Sequence, residues 1–297
     1  MIIRFIYWLT TFVFSLSIAL GALGFGVDYY HAYHRPNWSY GSFQDHLGFY
    51  LVGQHWGEQL SLGVFFISMM QFYIYHRLIE KLNQNSIYFY LVAIIIGFGW
   101  AHLISSLNML RQGLSISLFI LFVLNVNFKS LYITLHFFTH KMALVSSTFA
   151  VAMIFLRKIN ISFSMILFRI IFVSIVYVFA PKASSLIIGK DLTTFLIIIT
   201  IGYELSILFF KKFFPDSIVL LLQVANTIIW VFIIMGAVNY AERIFISFFP
   251  IYFFSLGLVI RTNLLGVSFI YLIAFLYVIV SWTLGPLNDA LYFGQKM

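Results

Sequence analysis

Long apolar runs alternate with short polar stretches along the whole chain. The length of each run is close to the length of about 20 residues that a helix needs to cross the hydrocarbon core of a bilayer. Most basic residues stand singly or in pairs at the ends of these runs rather than inside them. The pattern therefore predicts nine membrane-spanning helices, over residues 5–26, 59–78, 87–105, 113–127, 161–180, 192–210, 217–240, 244–260 and 264–284.

A further apolar segment, residues 131–156, is too long for one plain span. Thr139, His140 and Lys141 interrupt it, so we expect two shorter helices in a broken or re-entrant hairpin. Non-helical backbone at membrane depth is tolerated only against protein or a water-filled cavity. The predicted fold is all-α: a polytopic integral membrane protein with about 9–11 transmembrane helices. We expect one transmembrane domain over residues 1–297, with the first apolar stretch retained as a helix rather than removed as a signal peptide.

The distribution of basic residues predicts the orientation, because cytoplasmic loops carry an excess of Lys and Arg. With the hairpin, the basic residues on the cytoplasmic side, which also holds the N-terminus, are Arg4, Arg77, Lys81, Lys129, Arg157, Lys158, Lys211, Lys212 and Arg261. Those on the external side, with the C-terminus, are Arg35, Arg111, Lys182, Lys190, Arg243 and Lys296. If residues 131–156 cross only once, every later segment inverts and Lys211 and Lys212 become external, which the rule disfavours.

Composition excludes several protein classes. Hydrophobic residues make up 62% and charged residues 9% of the chain, and its mean hydropathy is +1.01, whereas roughly a quarter of an ordinary soluble domain is charged. A soluble globular protein is therefore excluded. The net charge of +8 does not indicate nucleic acid, because no basic patch is present in the sequence. The absence of cysteine excludes disulfides, thiolate chemistry and iron–sulfur ligation.

The longest polar connection is the first external loop, residues 27–58. It combines many aromatic residues and histidines with the charged residues Asp28, Arg35, Asp45 and Glu58. This mixture suits carbohydrate, because aromatic rings stack on the apolar faces of sugars while polar groups bond the hydroxyls. The alternative is an interfacial aromatic belt with ordinary loop polarity. The histidines raise a metal hypothesis, but no HExxH or comparable ligand spacing appears, so no metal site is predicted.

Three further positions hold candidate catalytic or ligand-binding residues. Arg111 and Gln112 lie between two predicted helices on the external side, and a guanidinium offers a fixed fork of donors that matches phosphate oxygens. The alternative for Arg111 is a snorkelling surface side chain. Arg243 follows Glu242 at the outer end of another helix, and adjacent residues do not share a helix face. His140 is either a catalytic or a satisfied structural histidine.

Two ionisable residues, Arg169 and Glu204, lie inside predicted spans. An intramembrane ionisable residue is by default a functional candidate with a partner to be identified. At a rise of about 1.5 Å per residue, Arg169 would lie about 12 Å and Glu204 about 9 Å from the cytoplasmic helix ends. We expect a structural ion pair between antiparallel neighbours.

At residues 108–145 the block NMLRQGLSISLFILFVLNVNFKSLYITLHFFTHKMALV is similar to a stretch of the EpsG-like branch of Wzy-type polysaccharide polymerases. The shared features are the Arg-Gln pair, the following helix with small residues, and a Phe-x-x-His sequence. Two shorter blocks resemble the same family. One is the Gly-Val-Asp-Tyr sequence that opens the first loop, and the other is Ala-Glu-Arg-Ile at residues 241–244.

The resemblance implies a glycosyltransferase of the bacterial cytoplasmic (inner) membrane, with its active site facing the periplasm or exterior. Such an enzyme moves a growing chain from undecaprenyl diphosphate to the next lipid-linked repeat unit, and so builds O-antigen, capsule or exopolysaccharide. It implies membrane lipid as the environment, no cofactor and no nucleic-acid partner. Chain-length regulators and flippases are the partner proteins that the family implies.

The site residues follow from the resemblance together with the reaction, which needs cations at the departing diphosphate and a base at the attacking sugar hydroxyl. Arg111 and Arg243 are expected to bind the diphosphate, with Gln112 beside them and His140 near the leaving oxygen. Asp28 is the expected base or acceptor-sugar anchor. The residues expected behind it in the substrate site are Arg35, Asp45 and Glu58.

Other functions remain open. An O-antigen ligase shares the lipid donor and the external arginines, but usually has its large loop late in the chain. A flippase or transporter predicts an inverted repeat, which the sequence does not show. A membrane acyltransferase needs a buried histidine, for which His102 or His136 is available.

Overall fold

A computed structural model describes residues 2–22, 55–56, 60–82, 87–107, 110–124, 127–139, 142–158, 190–210, 214–259 and 264–283. This part of the chain is helical apart from one short antiparallel pair, β1 (His55–Trp56) and β2 (Leu60–Ser61). The helices are α1 (Ile2–Ala19), α2 (Leu62–Lys81), α3 (Ile87–Gly97), α4 (Trp100–Leu107), α5 (Leu110–Leu124), α6 (Lys129–Thr139), α7 (Met142–Lys158), α8 (Lys190–Phe210), α9 (Asp216–Ile234), α10 (Val238–Val259) and α11 (Leu264–Thr283). The predicted all-α class is confirmed.

Among the described residues, three helices are long and apolar enough to cross a membrane: α1, α2 and α9. Helices α3 and α4 pass the same criterion as a pair, with a bend of 57° between them. These three or four helices are consistent with a membrane protein. The predicted span 161–180 lies outside the described residues, and the full number of spans stays a prediction.

The structure describes residues 131–156 as two helices with described ends on either side of residues 140–141. Helix α6 ends at Thr139 and α7 begins at Met142. His140 and Lys141 lie outside the described residues. The two-helix interpretation of this segment therefore agrees with the helix boundaries.

The boundary between α9 and α10 differs from the prediction. Helix α9 ends at Ile234, because Gly236 adopts a positive φ of 71° and closes the helix. The Ala237 N–H donates to the Phe232 carbonyl at 2.8 Å and the Gly236 N–H to the Ile233 carbonyl at 3.0 Å, the pattern of a glycine-terminated helix. Helix α10 therefore starts at Val238, earlier than the predicted residue 244, and Arg243 lies inside it.

The described residues form two compact units, one from Met1–Ala143 and Leu256–Met297, the other from Leu144–Ser255. In the first unit, α1 packs along α2. The Tyr7 hydroxyl donates to the Phe72 carbonyl at 2.7 Å, and the Ser15 and Ser68 hydroxyls lie 2.8 Å apart. Hydrogen bonds between helices fix their register, since lipid is as apolar as the side chains that face it.

Three charged side chains meet where α1 begins and α2 ends. Arg4 Nη2 lies 3.3 Å from Glu80 Oε1, and Arg77 Nη1 lies 2.6 Å from Glu80 Oε2. Arg4 and Arg77 were both predicted on one face of the membrane, and the structure places them at the same end of the first unit. The side of the membrane on which this end lies stays a prediction.

The predicted continuous span over residues 87–105 is wrong in one respect, because the helix breaks at Phe98 and Gly99. Helix α11 supplies the hydrogen bonds that the break removes. The Trp100 N–H donates to Ser281 Oγ at 3.0 Å, and the Ala101 N–H donates to the Tyr277 hydroxyl at 2.6 Å. A break in a spanning helix is tolerated where neighbouring side chains satisfy the freed backbone groups.

Candidate functional site

The structure describes four of the predicted site residues: Arg111, Gln112, Glu204 and Arg243. The others lie outside the described residues, namely Asp28, Arg35, Asp45, Glu58, His140 and Arg169. Within the described residues, the candidate site therefore consists of the helix ends around Arg111.

Arg111 and Gln112 occupy the first turn of α5, which begins at Leu110. Gln112 is 7% exposed and Arg111 is half-buried. The first turn of a helix has backbone N–H groups without intrahelical acceptors and carries partial positive charge. A guanidinium in that turn adds to the positive potential instead of offsetting it. This helix end therefore favours an anion, and phosphate groups are common ligands of such ends.

Helix α4 approaches this turn closely at Gly113. A Cβ built on Gly113 would lie 2.5 Å from the Ser105 carbonyl oxygen, a backbone atom that cannot move aside like a flexible side chain. Residue 113 is therefore restricted to glycine by the contact with α4. The side-chain hydroxyls of Ser105 and Ser106 in α4 are buried and have no hydrogen-bond partner within the described structure.

Helix α6 contacts α5 from another direction through a histidine. His136 Nδ1 lies 2.7 Å from the Ser115 carbonyl oxygen and 2.9 Å from Ser115 Oγ. Both residues are fully buried. The His136 ring also forms a hydrogen bond with the backbone of Ala143 and packs on Phe119, with ring centroids 5.4 Å apart.

Arg243 lies near the start of its helix, as predicted, but inside the helix and not before it. It lies in the second turn of α10, and its side chain is exposed while that of Glu242 is half-buried. Glu242 precedes the apolar part of the helix. Burial raises the pKa of the Glu242 carboxyl, and the adjacent Arg243 guanidinium opposes that rise. Arg243 belongs to the second unit and Arg111 to the first.

Glu204 has a partner that the sequence reasoning missed. The Asn226 side-chain amide donates to Glu204 Oε1 at 2.6 Å, and the Tyr252 hydroxyl donates to Asn226 Oδ1 at 2.5 Å. The Tyr203 hydroxyl donates to the Tyr252 carbonyl. The second unit therefore holds the Glu204 carboxylate in a hydrogen-bonded network across α8, α9 and α10. The predicted pair with Arg169 stays a prediction.

The histidine of the broken span, His102, is a second residue whose role was missed. Its Nε2 lies 3.0 Å from Ser68 Oγ and its Nδ1 lies 3.0 Å from the Tyr75 hydroxyl. His102 is 1% exposed, and Ser68 continues the network to Ser15. Both ring nitrogens are used, so His102 joins α1, α2 and α4 and has no nitrogen left for a substrate.

Helical spacing is the signal that could have identified the other missed residue, His136. Ser115 follows Arg111 by four residues and therefore lies one turn away on the same face of α5, and His136 precedes His140 by four residues in the sequence. Across the described ranges no group of three His, Asp or Glu side chains converges in a way that would hold a metal ion.

Comparisons of the chain with protein-family models, with curated proteins and with solved structures find no match.

Proposed function

We propose that this protein is a membrane glycosyltransferase that polymerises oligosaccharide repeat units carried on undecaprenyl diphosphate. The product would be O-antigen, capsule or exopolysaccharide, made on the outer face of a bacterial cytoplasmic membrane. The proposal includes the predicted topology of about 9–11 spans with a cytoplasmic N-terminus. The observation that carries it is the position of Arg111 and Gln112 in the first turn of α5.

The proposed reaction is a glycosyl transfer between two lipid-linked chains. An acceptor hydroxyl oxygen bonds to the anomeric carbon of the donor sugar, and the bond from that carbon to the diphosphate oxygen breaks. Undecaprenyl diphosphate leaves with the electron pair, and the hydroxyl proton passes to a base. Asp28 is the proposed base. Arg35, Asp45 and Glu58 are proposed sugar-binding residues of the same loop.

Arg111 acts on the leaving group in this proposal. Charge develops on the diphosphate as the bond breaks, and preorganised donors aimed at such charge contribute a few kcal/mol each, about 3 for a single donor. The guanidinium fork and the positive end of α5 act in the same direction. Arg243 and His140 are the further proposed ligands of the diphosphate, and neither a metal nor a cofactor is needed.

A transporter or flippase is the second candidate, because α3 and α4 form a broken helix. Broken helices of transporters present their half-helix ends to ions or substrates. Here Ser281 and Tyr277 already accept the hydrogen bonds of the Trp100 and Ala101 N–H groups. Those two donors are therefore unavailable to a substrate, which favours a structural role for this break.

The test is a gel of surface glycolipid from the source organism with this gene deleted, complemented by wild type, by Arg111→Ala or by Lys129→Ala. Lys129 is an exposed cation at the start of α6 and is the matched control. We expect deletion and Arg111→Ala to reduce the ladder to core plus one repeat unit, and Lys129→Ala to restore it.

The other outcomes of the gel contradict the proposal in distinct ways. Polymer that accumulates on the lipid carrier without reaching the core would identify a ligase. Loss of every repeat unit from the outer face would identify a transporter. An unchanged ladder after deletion would exclude all three functions in this surface pathway.

A further inference from the structure

The contact between Ser115 and His136 is a directional hydrogen bond between α5 and α6. Since a carbonyl oxygen only accepts, the His136 Nδ1 atom that lies 2.7 Å from it carries the proton and donates. The ring is fixed on one edge by this bond and on one face by Phe119. Neither residue is accessible to substrate, because both are 0% exposed.

The bond lies one helical turn from the candidate anion site. Ser115 follows Arg111 by four residues, about 6 Å along the helix axis. Only residues 125–128 connect α5 to α6, so the two helices form a hairpin. A shift of α6 along α5 by one helical turn would break the bond. It would also change, by one turn, which part of α6 lies beside Arg111.

Apolar packing alone does not fix such a register. In lipid the helices gain little from burying apolar faces against each other, and interhelical hydrogen bonds supply much of the specificity. Arg111 and Gln112 therefore need a polar contact if their positions are to be defined to within an ångström. The His136 bond supplies it on one side of α5, and the close approach of Gly113 to the Ser105 backbone supplies a steric limit on the other.

We propose that His136 is a positioning residue: through Ser115 it sets the register of α5 against α6 and holds Arg111 and Gln112 in place for a diphosphate ligand. This inference rests on the proposed function for the identity of the ligand. His136 itself contacts neither substrate nor reacting atoms.

The first test replaces His136 with asparagine or with phenylalanine in the full chain in membranes. Asparagine places an N–H donor near the position of Nδ1, whereas phenylalanine keeps a ring and removes the donor. A misplacement of about 1 Å can cost about 100-fold in rate. We expect His136→Phe to lower kcat for chain extension about 100-fold with KM nearly unchanged, and His136→Asn to restore most of the rate.

Equal loss in both variants would overturn the proposal, since asparagine keeps the bond to Ser115. Equal activity of His136→Phe and wild type would overturn it as well. The amount of protein in the membrane is measured for each variant, so that misfolding is distinguished from misplacement.

The second test reports the register without any enzymatic assay, because the natural chain contains no cysteine. The double variant Ser115→Cys/His136→Cys is treated with a short thiol-specific bifunctional reagent. We expect a cross-link within the chain, and we expect it to return the activity that the untreated double variant lacks. Failure to cross-link would overturn the contact, and a cross-linked but inactive protein would overturn the positioning role.

The two tests separate this inference from the proposed function. If wild-type protein shows no polymerase activity, the functional proposal fails, whereas the cross-link still reports whether α5 and α6 meet at these residues. If wild type polymerises and the Asn and Phe variants behave alike, only the positioning role fails.

Discussion

The ring of Tyr277 occupies the space where a side chain at Gly99 would begin: a Cβ built there would lie 2.0 Å from Tyr277 Cε1. The same tyrosine accepts a hydrogen bond from the Ala101 N–H at 2.6 Å. One side chain of α11 therefore fills the gap in the broken helix and satisfies one of its free donors. The break and α11 depend on each other.

Substitution of Gly99 by alanine should destabilise the first unit. The added methyl group meets the half-buried ring of Tyr277, and overpacking of this kind costs about 1–3 kcal/mol. We expect a lower thermal midpoint for Gly99→Ala in detergent, measured by loss of a folded peak in size-exclusion chromatography after heating. Gly202→Ala is the control, because nothing lies within 4 Å of that Cβ. If both variants melt alike, the close contact is not present.

Removal of the Tyr277 hydroxyl should cost stability without a steric effect. Tyr277→Phe leaves the Ala101 N–H without its acceptor, and a buried donor left unpaired costs about 1–3 kcal/mol. The measurement is the same heating series. Tyr240→Phe is the matched control, since Tyr240 is 55% exposed and stacks on Phe232 through its ring. A larger loss in the control would contradict the assigned role.

The network at Glu204 predicts a strong effect of one amide in the second unit. Asn226→Ala removes the donor to Glu204 and the acceptor of Tyr252 together, and each unsatisfied group costs about 1–3 kcal/mol. We expect much less folded protein in membranes for this variant than for Asn239→Ala, which changes an exposed amide. Equal amounts would show that the network contributes little.

The proposed role of Arg111 predicts that charge alone is insufficient. Arg111→Lys keeps the cation and loses the fork of donors, so we expect a polymer ladder nearly as short as that of Arg111→Ala. Both variants are compared by gel at equal protein amounts in the membrane. A normal ladder from Arg111→Lys would show that a point charge is enough, and normal ladders from both would exclude the diphosphate role.

The predicted orientation can be tested by single cysteines in the cysteine-free chain. Ala22, just after α1, and Asn127, between α5 and α6, are exposed. If the N-terminus is cytoplasmic, a membrane-impermeant maleimide should label Ala22→Cys in intact cells and should label Asn127→Cys only after lysis. The reverse pattern would invert the topology and would place Arg111 on the cytoplasmic side.

Local sequence features were sufficient for part of the fold. Apolar runs of sufficient length predicted helices, and the polar residues Thr139, His140 and Lys141 predicted the boundary between α6 and α7. Helix formation and polar interruption depend on residues close in sequence. The shared position of Arg4 and Arg77 also followed from the alternating direction of consecutive spans.

Tertiary contacts decided what the sequence pattern did not show. The break at Gly99 lies in an apolar run, and residues more than 170 positions later, Tyr277 and Ser281, accept the hydrogen bonds of its free N–H groups. In the same way, tertiary contacts bring the Asn226 amide to Glu204 and His136 Nδ1 to the Ser115 carbonyl, which sets the register of α5 against α6.

Amino-acid type and spacing thus determined that the described part of the chain is helical and apolar enough for a membrane, and that Arg111 lies near the start of a helix. The interhelical register that brings distant polar side chains within 3 Å of each other was decided by the tertiary structure. A hydrogen bond depends on distance and direction between residues far apart in sequence, and a linear pattern of apolar and polar positions contains neither.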